Sequence, residues 1–247
     1  MSFLPPKQLH ELAGFAFIAD KEARSDLAAG YIKDENDYTS NFTGALRRII
    51  NSNSHTGLSA TSFLLSHGEE RQSGADAAVI VSKGKYSKVA LLEGKWPRFA
   101  RSGYLWDYAQ TSSGLSHFSD QLDRQQKWNG TFAIFEMFYC EYPFKKQPAF
   151  MDDDGSSCVW HDEAVRFCGT RSNPTAIWMR DELSTLLQRT RLSIKDVVTN
   201  FAQCHRGIPI PMVDPHAIDR EFRLPDQVLA VTASGEMSSI AVTMEAS

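Results

Sequence analysis

Three residues within one short stretch, Asp76, Glu93 and Lys95, have the types and spacing for metal-assisted hydrolysis. They belong to Gly74–Lys95, which reads GADAAVIVSKGKYSKVALLEGK. Two apolar runs, Ala77–Val81 (AAVIV) and Lys88–Leu92 (KVALL), flank a polar turn at Ser82–Ser87. This pattern predicts two strands folded back as an antiparallel hairpin. If Asp76 faces Glu93, the reversal falls between Gly84 and Lys85, where glycine makes the turn cheap. Directly opposed residues in such a pair have Cβ atoms roughly 5 Å apart, near enough for two carboxylates to share one divalent cation. Glu93 and Lys95 are two apart, so in a strand they project from one face. Two acids held this close repel unless a cation or a proton intervenes. A hard ion such as Mg²⁺ relieves the repulsion through oxygen ligands, and the Lys95 amine is then placed to orient or help activate a water or to stabilise charge on a phosphate. The plain alternative is an ordinary hairpin with an exposed Glu93–Lys95 salt bridge.

GAD, an apolar strand, a basic turn and LLEGK together resemble the core of the PD-(D/E)xK nuclease superfamily, the restriction-endonuclease-like fold. The resemblance covers roughly residues 35–139. It implies an α/β fold with a mixed central sheet flanked by helices. It also implies Mg²⁺ or Mn²⁺ held by Asp76 and Glu93, with Lys95 assisting attack of water on a phosphodiester. The middle position of the ExK element is Gly94, whose carbonyl is a further potential ligand. Many members carry an acid on a preceding helix and a glutamine on a following one, and this chain offers both.

The preceding helix is predicted where Tyr38, Phe42, Leu46 and Ile49 or Ile50 recur at helical spacing. Glu35, seven residues before Phe42, lies on the buried side and is the candidate third metal ligand, with Asp37 its competitor. The plain reading of Glu35 is an acid favoured by the helix dipole. The following helix, after a serine-rich loop at Thr111–Ser119 and capped by Ser116 or Ser119, sets Phe118, Gln121, Leu122 and Gln125 on one face. A buried glutamine needs a partner; Gln121 is the candidate to reach the site and Gln125 the alternative. Between ExK and this helix, Arg98 and Arg101 are interleaved with Trp96, Phe99, Tyr104, Trp106 and Tyr108, a mixture suited to phosphates and bases.

Around this core, Gln8–Arg24 reads as a helix with Leu12 and Ala16 inward, Leu58–Leu65 as an edge strand and Thr131–Tyr139 as a central one. Glu70 precedes GAD by the four-residue spacing some relatives use. Asp152–Asp154 reads as a solvated loop. Cys158, His161 and Cys168 match no structural zinc spacing. Trp178–Arg189 and Ser193–Gln203 read as helices, Pro209–Pro215 as an extended connection, and Gln227–Thr232 with Ser238–Thr243 as a terminal hairpin. The expectation is one domain with its core at 35–142 and C-terminal additions at 150–247.

The chain's 247 residues, 42% of them hydrophobic, suffice for a full core, and the net charge of −4 requires any nucleic-acid contact to come from a local basic patch. Four dispersed cysteines without a CxxC, no membrane-length apolar run and no export signal point to a reduced cytoplasm. The expected function is a metal-dependent nuclease, with DNA the expected substrate. Relatives of that kind serve bacterial restriction, anti-phage defence, repair and recombination. The alternative is a non-catalytic subunit that keeps the fold to bind nucleic acid or a partner protein. A multi-subunit system and a homo-oligomer both remain open.

Overall fold

The computed structural model describes residues 2–65, 74–98, 106–139 and 155–234. Glu70, Asp152–Asp154 and Ser238–Thr243 lie outside the described residues. Helices α1 (Pro6–Ala28) and α2 (Glu35–Asn53) lead into the edge strand β1 (Leu58–Leu64). Asp34 caps α2 by accepting the Asp37 N–H at 2.9 Å, which satisfies one of the amides that a helix start leaves bare. Strands β2 (Ala77–Lys83) and β3 (Tyr86–Lys95) form the expected antiparallel hairpin, in register from Ala77↔Leu92 to Lys83↔Tyr86. Gly84, at φ +61°, makes the reversal between them. Then come α3 (His117–Gln125), a single 3₁₀ turn (Gln126–Trp128) and β4 (Ala133–Phe138), parallel to β3.

The remaining elements are β5 (Ser157–Trp160), α4 (His161–Gly169), α5 (Arg180–Thr190), α6 (Ile194–Ala202), α7 (Pro215–Phe222) and β6 (Gln227–Ala233). The six strands make one mixed sheet in the order β1-β6-β2-β3-β4-β5. The C-terminal part is therefore built into the sheet. β5 pairs antiparallel with β4, while β6 runs parallel to β2 and antiparallel to β1. The segment read as one arm of a terminal hairpin is an interior strand, and Val228, Leu229 and Val231 are buried there. The extended connection holds through Asp214, and its last proline belongs to the next helix. Pro215 opens α7, a position where its missing N–H costs nothing, and Asp214 caps that helix.

Both sheet faces are covered, which explains the near-continuous apolar runs of β2 and β3. Ala77, Val81, Ala90 and Leu92 point toward Leu12, Ala16, Phe42 and Leu46 of α1 and α2. Ala78, Ile80, Val89 and Leu91 point to the opposite face with Ile218 of α7. Next to that second layer, Phe118, Phe138, Trp106, Trp178 and Leu183 form an aromatic-rich cluster under α3 to α5. Among the described residues no helix is long and apolar enough to cross a membrane.

Candidate active site

The alternation that buries Leu91 also aims Glu93 and Lys95 at the face where α3 lies, and Asp76 reaches the same cleft from the end of β2. The ladder stops at Ala77, and Asp76 sits in a bend just before it. Its N–H donates to the Leu92 carbonyl at 2.9 Å, and its Oδ2 accepts the Gly94 N–H at 2.7 Å. A Cβ added to Gly94 would stand 3.1 Å from Asp76 Oδ2, Thr39 Oγ1 and Tyr139 Cε1 alike. Glycine at the centre of ExK is what lets the aspartate come this close.

Glu93 and Lys95 are buried, not the exposed salt bridge of the plain alternative. Lys95 Nζ donates to Glu93 Oε1 at 2.5 Å and stands 3.9 Å from Glu35 Oε2. Glu35 reaches the strand end from the first residue of α2, where its Oε1 accepts the Trp96 N–H at 3.0 Å. Asp37 instead accepts the Lys33 N–H at 3.3 Å, within its own turn. On α3, capped by Ser116, Gln121 Nε2 donates to Glu93 Oε1. Gln125 turns aside: its Nε2 donates to the Gly74 carbonyl and its Oε1 lies 3.0 Å from His161 Nδ1. Five expected residues thus converge: Asp76, Glu93, Lys95, Glu35 and Gln121.

The nucleic-acid-binding arginines fare differently. Arg98 lies flat on Trp96, its guanidinium carbon 3.3 Å from the ring centroid, and donates to the Lys33 carbonyl at 3.1 Å. Its planar group is held by these contacts at the rim of the site. Arg101 lies outside the described residues.

One acid was missed. Glu136 on β4 is in register with Glu93 across the parallel pair and fully buried. Neither of its carboxylate oxygens has a hydrogen-bond partner; the His161 Nδ1 atom is 3.6 Å away. The available signal was a single acid in the otherwise apolar run AIFEMF. Its registration against Glu93 depends on a parallel pairing that no local pattern reveals.

These charges act on one another. Burial pushes Asp76 up to about 6, with the Glu35 and Glu136 charges adding and Lys95 and the Gly94 N–H opposing. Burial raises Glu93 well above the carboxylate range, helped by Asp76 and Glu136 and opposed by Lys95. For Lys95 burial works downward, but Glu93, Glu35 and Asp76 together outweigh it and raise the ammonium. Acids therefore outnumber cations in a poorly solvated place, the situation a divalent cation relieves. Among the described residues no three Asp, Glu, His or Cys side chains form a ready-made cage. The donors fit Mg²⁺ in another way: one or two carboxylates, with water and substrate oxygens completing its shell. Glu93 Oε2, buried with no hydrogen-bond partner, is the free oxygen such an ion would use.

A cleft of about 760 Å³ opens over Asp76, Glu93 and Gln121 and is rimmed by Tyr108, His117 and Arg124. A second lobe of about 400 Å³ beside Glu35, Trp96 and Arg98 adjoins it at Asn36 and Tyr108. In comparisons with known proteins, no protein-family model, curated protein or solved structure matches this chain.

Proposed function

We propose that this protein is a divalent-metal-dependent nuclease that hydrolyses phosphodiester bonds, built on a restriction-endonuclease-like sheet. The observation that carries the reading is the meeting of Asp76, Glu93 and Lys95 at one end of the β2–β3 hairpin, with Asp76 and Glu93 lining an open cleft and Lys95 buried against Glu93. An α-helix bearing Glu35, the β2–β3 hairpin, a helix bearing Gln121 and a strand parallel to β3 follow in the order the resemblance implies. Asp76 and Glu93 would hold Mg²⁺ or Mn²⁺, with Glu35 at the margin. When bound, such an ion supplies Lewis-acid polarisation of a phosphate oxygen and a lowered pKa for a coordinated water. Lys95 offers an ammonium donor to the negative charge that grows on the phosphate in the transition state. Gln121 holds Glu93 in place, and the Gly94 N–H fixes Asp76, so the oxygens are positioned before substrate arrives.

The test is cleavage of plasmid and single-stranded DNA with Mg²⁺ or Mn²⁺. Activity is expected in the wild type and a loss of at least roughly a hundredfold in Asp76→Ala and Lys95→Ala. Cleavage that persists in both variants defeats the assignment.

A second reading, a non-catalytic binding subunit, is favoured by one observation. Lys95 and Gln121 already satisfy Glu93 Oε1, so part of the carboxylate is neutralised within the protein. Binding of nucleic acid without cleavage under any divalent ion would select it.

A further inference from the structure

Tyr108 is 58% exposed, yet the loop beneath it is firmly held. Its N–H donates to Asp107 Oδ1 at 2.9 Å and its carbonyl accepts the His117 N–H at 2.9 Å. Asp107 is buried and also accepts from the Ser116 hydroxyl (2.7 Å), the Phe118 N–H (3.0 Å) and the Trp178 N–H (2.9 Å). An antiparallel bridge between Ala109 and Ser116 ties the two arms of the loop together. A buried carboxylate with four donors thus fixes the backbone beneath a ring whose surface faces solvent.

That ring is half of a stacked pair. His117 lies against it with centroids 4.5 Å apart and planes 15° apart. Burial, with the Lys95 and Arg124 charges, pushes the His117 imidazole down to about 4, so both rings are neutral near pH 7. Tyr108 borders both lobes of the cleft, and its hydroxyl feels the charges of Lys95, Glu35 and Glu93. The pair therefore stands next to the hydrolytic residues.

Among the described residues, Lys33 is the exposed cation on the second lobe, and three others near the cleft have partners. Arg124 is paired with Asp120 at 2.9 Å, Arg98 covers Trp96, and Lys95 is buried against Glu93. Base–aromatic stacking supplies affinity that does not depend on tracking phosphates along a duplex, and Tyr108 is an exposed ring in position to give it. A ring already fixed in place also loses little freedom when a ligand settles on it. A paired base inside a duplex has both faces covered by its neighbours, so only an unpaired base can use such a ring.

We propose that Tyr108, backed by His117, is a stacking shelf for an unpaired nucleobase, which makes single-stranded nucleic acid the substrate class of this cleft. The proposal rests on the nuclease reading for its location but is tested by binding. The probe is a 12-nucleotide single-stranded DNA carrying 2-aminopurine, with its blunt duplex as comparison and Ca²⁺ in place of Mg²⁺. The single strand is expected to bind more tightly than the duplex, with 2-aminopurine fluorescence quenched. Tyr108→Ala should weaken single-strand binding roughly 5- to 100-fold and remove the quench, as expected from the loss of one stacked base. Tyr108→Phe should retain both, and Tyr108→Leu, which keeps the bulk, should behave like alanine. Wild-type affinity in Tyr108→Ala, preference for duplex, or no single-strand binding each overturns the shelf. Cleavage is scored separately with Mg²⁺. A Tyr108-dependent quench without cleavage keeps the shelf and removes the nuclease, whereas cleavage without the quench does the reverse.

Discussion

The Gly94 N–H donates to Asp76 Oδ2 at 2.7 Å, so the aspartate is tethered to the backbone between Glu93 and Lys95 and not to either side chain. The contact exists because Gly94 lacks a Cβ. Of the three atoms an added methyl would meet, one belongs to Tyr139, whose ring is stacked on Tyr38 at 3.7 Å and 3°. A second belongs to Thr39, buried on α2. With three sides closed, Gly94→Ala should cost about 1–3 kcal/mol of stability through overpacking and displace Asp76. Thermal melts and cleavage assays read the two effects; an alanine variant with unchanged stability and activity would show that the neighbours give way easily.

Lys95 and Glu93 form a buried pair, and each neutralises the other. Replacing one partner strands a charge, which costs about 3–5 kcal/mol when the remaining group cannot relax. Lys95→Met alone should therefore destabilise the protein more than the double variant Lys95→Met with Glu93→Gln. A double-mutant cycle by urea unfolding measures the coupling. Additive single effects would mean that the two groups do not act as a pair.

The pH dependence has a definite sign in metal-free protein. Asp76 is buried and feels the charges of Lys95, Glu35, Glu136 and Glu93, and its pKa is raised from 3.8 to about 6. The folded state thus binds this proton more tightly than the unfolded state does. The resulting penalty is present in full above pH 6 and fades as pH falls through that window toward 4. Glu93, raised for the same leading reason, adds in the same direction. In EDTA, the fall in Tm between pH 5 and pH 8 should be steeper for the wild type than for Asp76→Asn, whose amide does not titrate. Parallel profiles for the two proteins would refute the coupling.

Divalent ions should act on stability without any substrate. An ion that binds only the folded state adds about 2.7 kcal/mol at a hundred times its Kd. Mg²⁺ or Mn²⁺ should raise the Tm of the wild type and have much less effect on Asp76→Asn. An equal response in both would place the ion elsewhere.

The hairpin and its acids were legible because their evidence is local. A two-residue period, a glycine at the reversal and the ExK spacing fix which residues share a face, and α3 showed Gln121 by the same kind of periodicity. Glu136 was hidden because its place beside Glu93 depends on β3 pairing with β4 across an intervening helix. The role of β6 was hidden for a similar reason. Its apolar run announces a strand, but nothing in that run says which edges it will join. Tyr108 looked like one aromatic among many; its exposure and the four hydrogen bonds of Asp107 emerge only in three dimensions.

The interior position of β6 bears on how the molecule is made. Val79 of β2 and Ser62 of β1 both meet Leu229, a residue synthesised long after either. A nascent chain carries the hairpin early but leaves the edges of β1 and β2 bare until this strand leaves the ribosome. Bare edges invite pairing with other chains, and contacts so distant in sequence close slowly. Premature termination ahead of Gln227 should therefore yield aggregates and not a smaller folded protein.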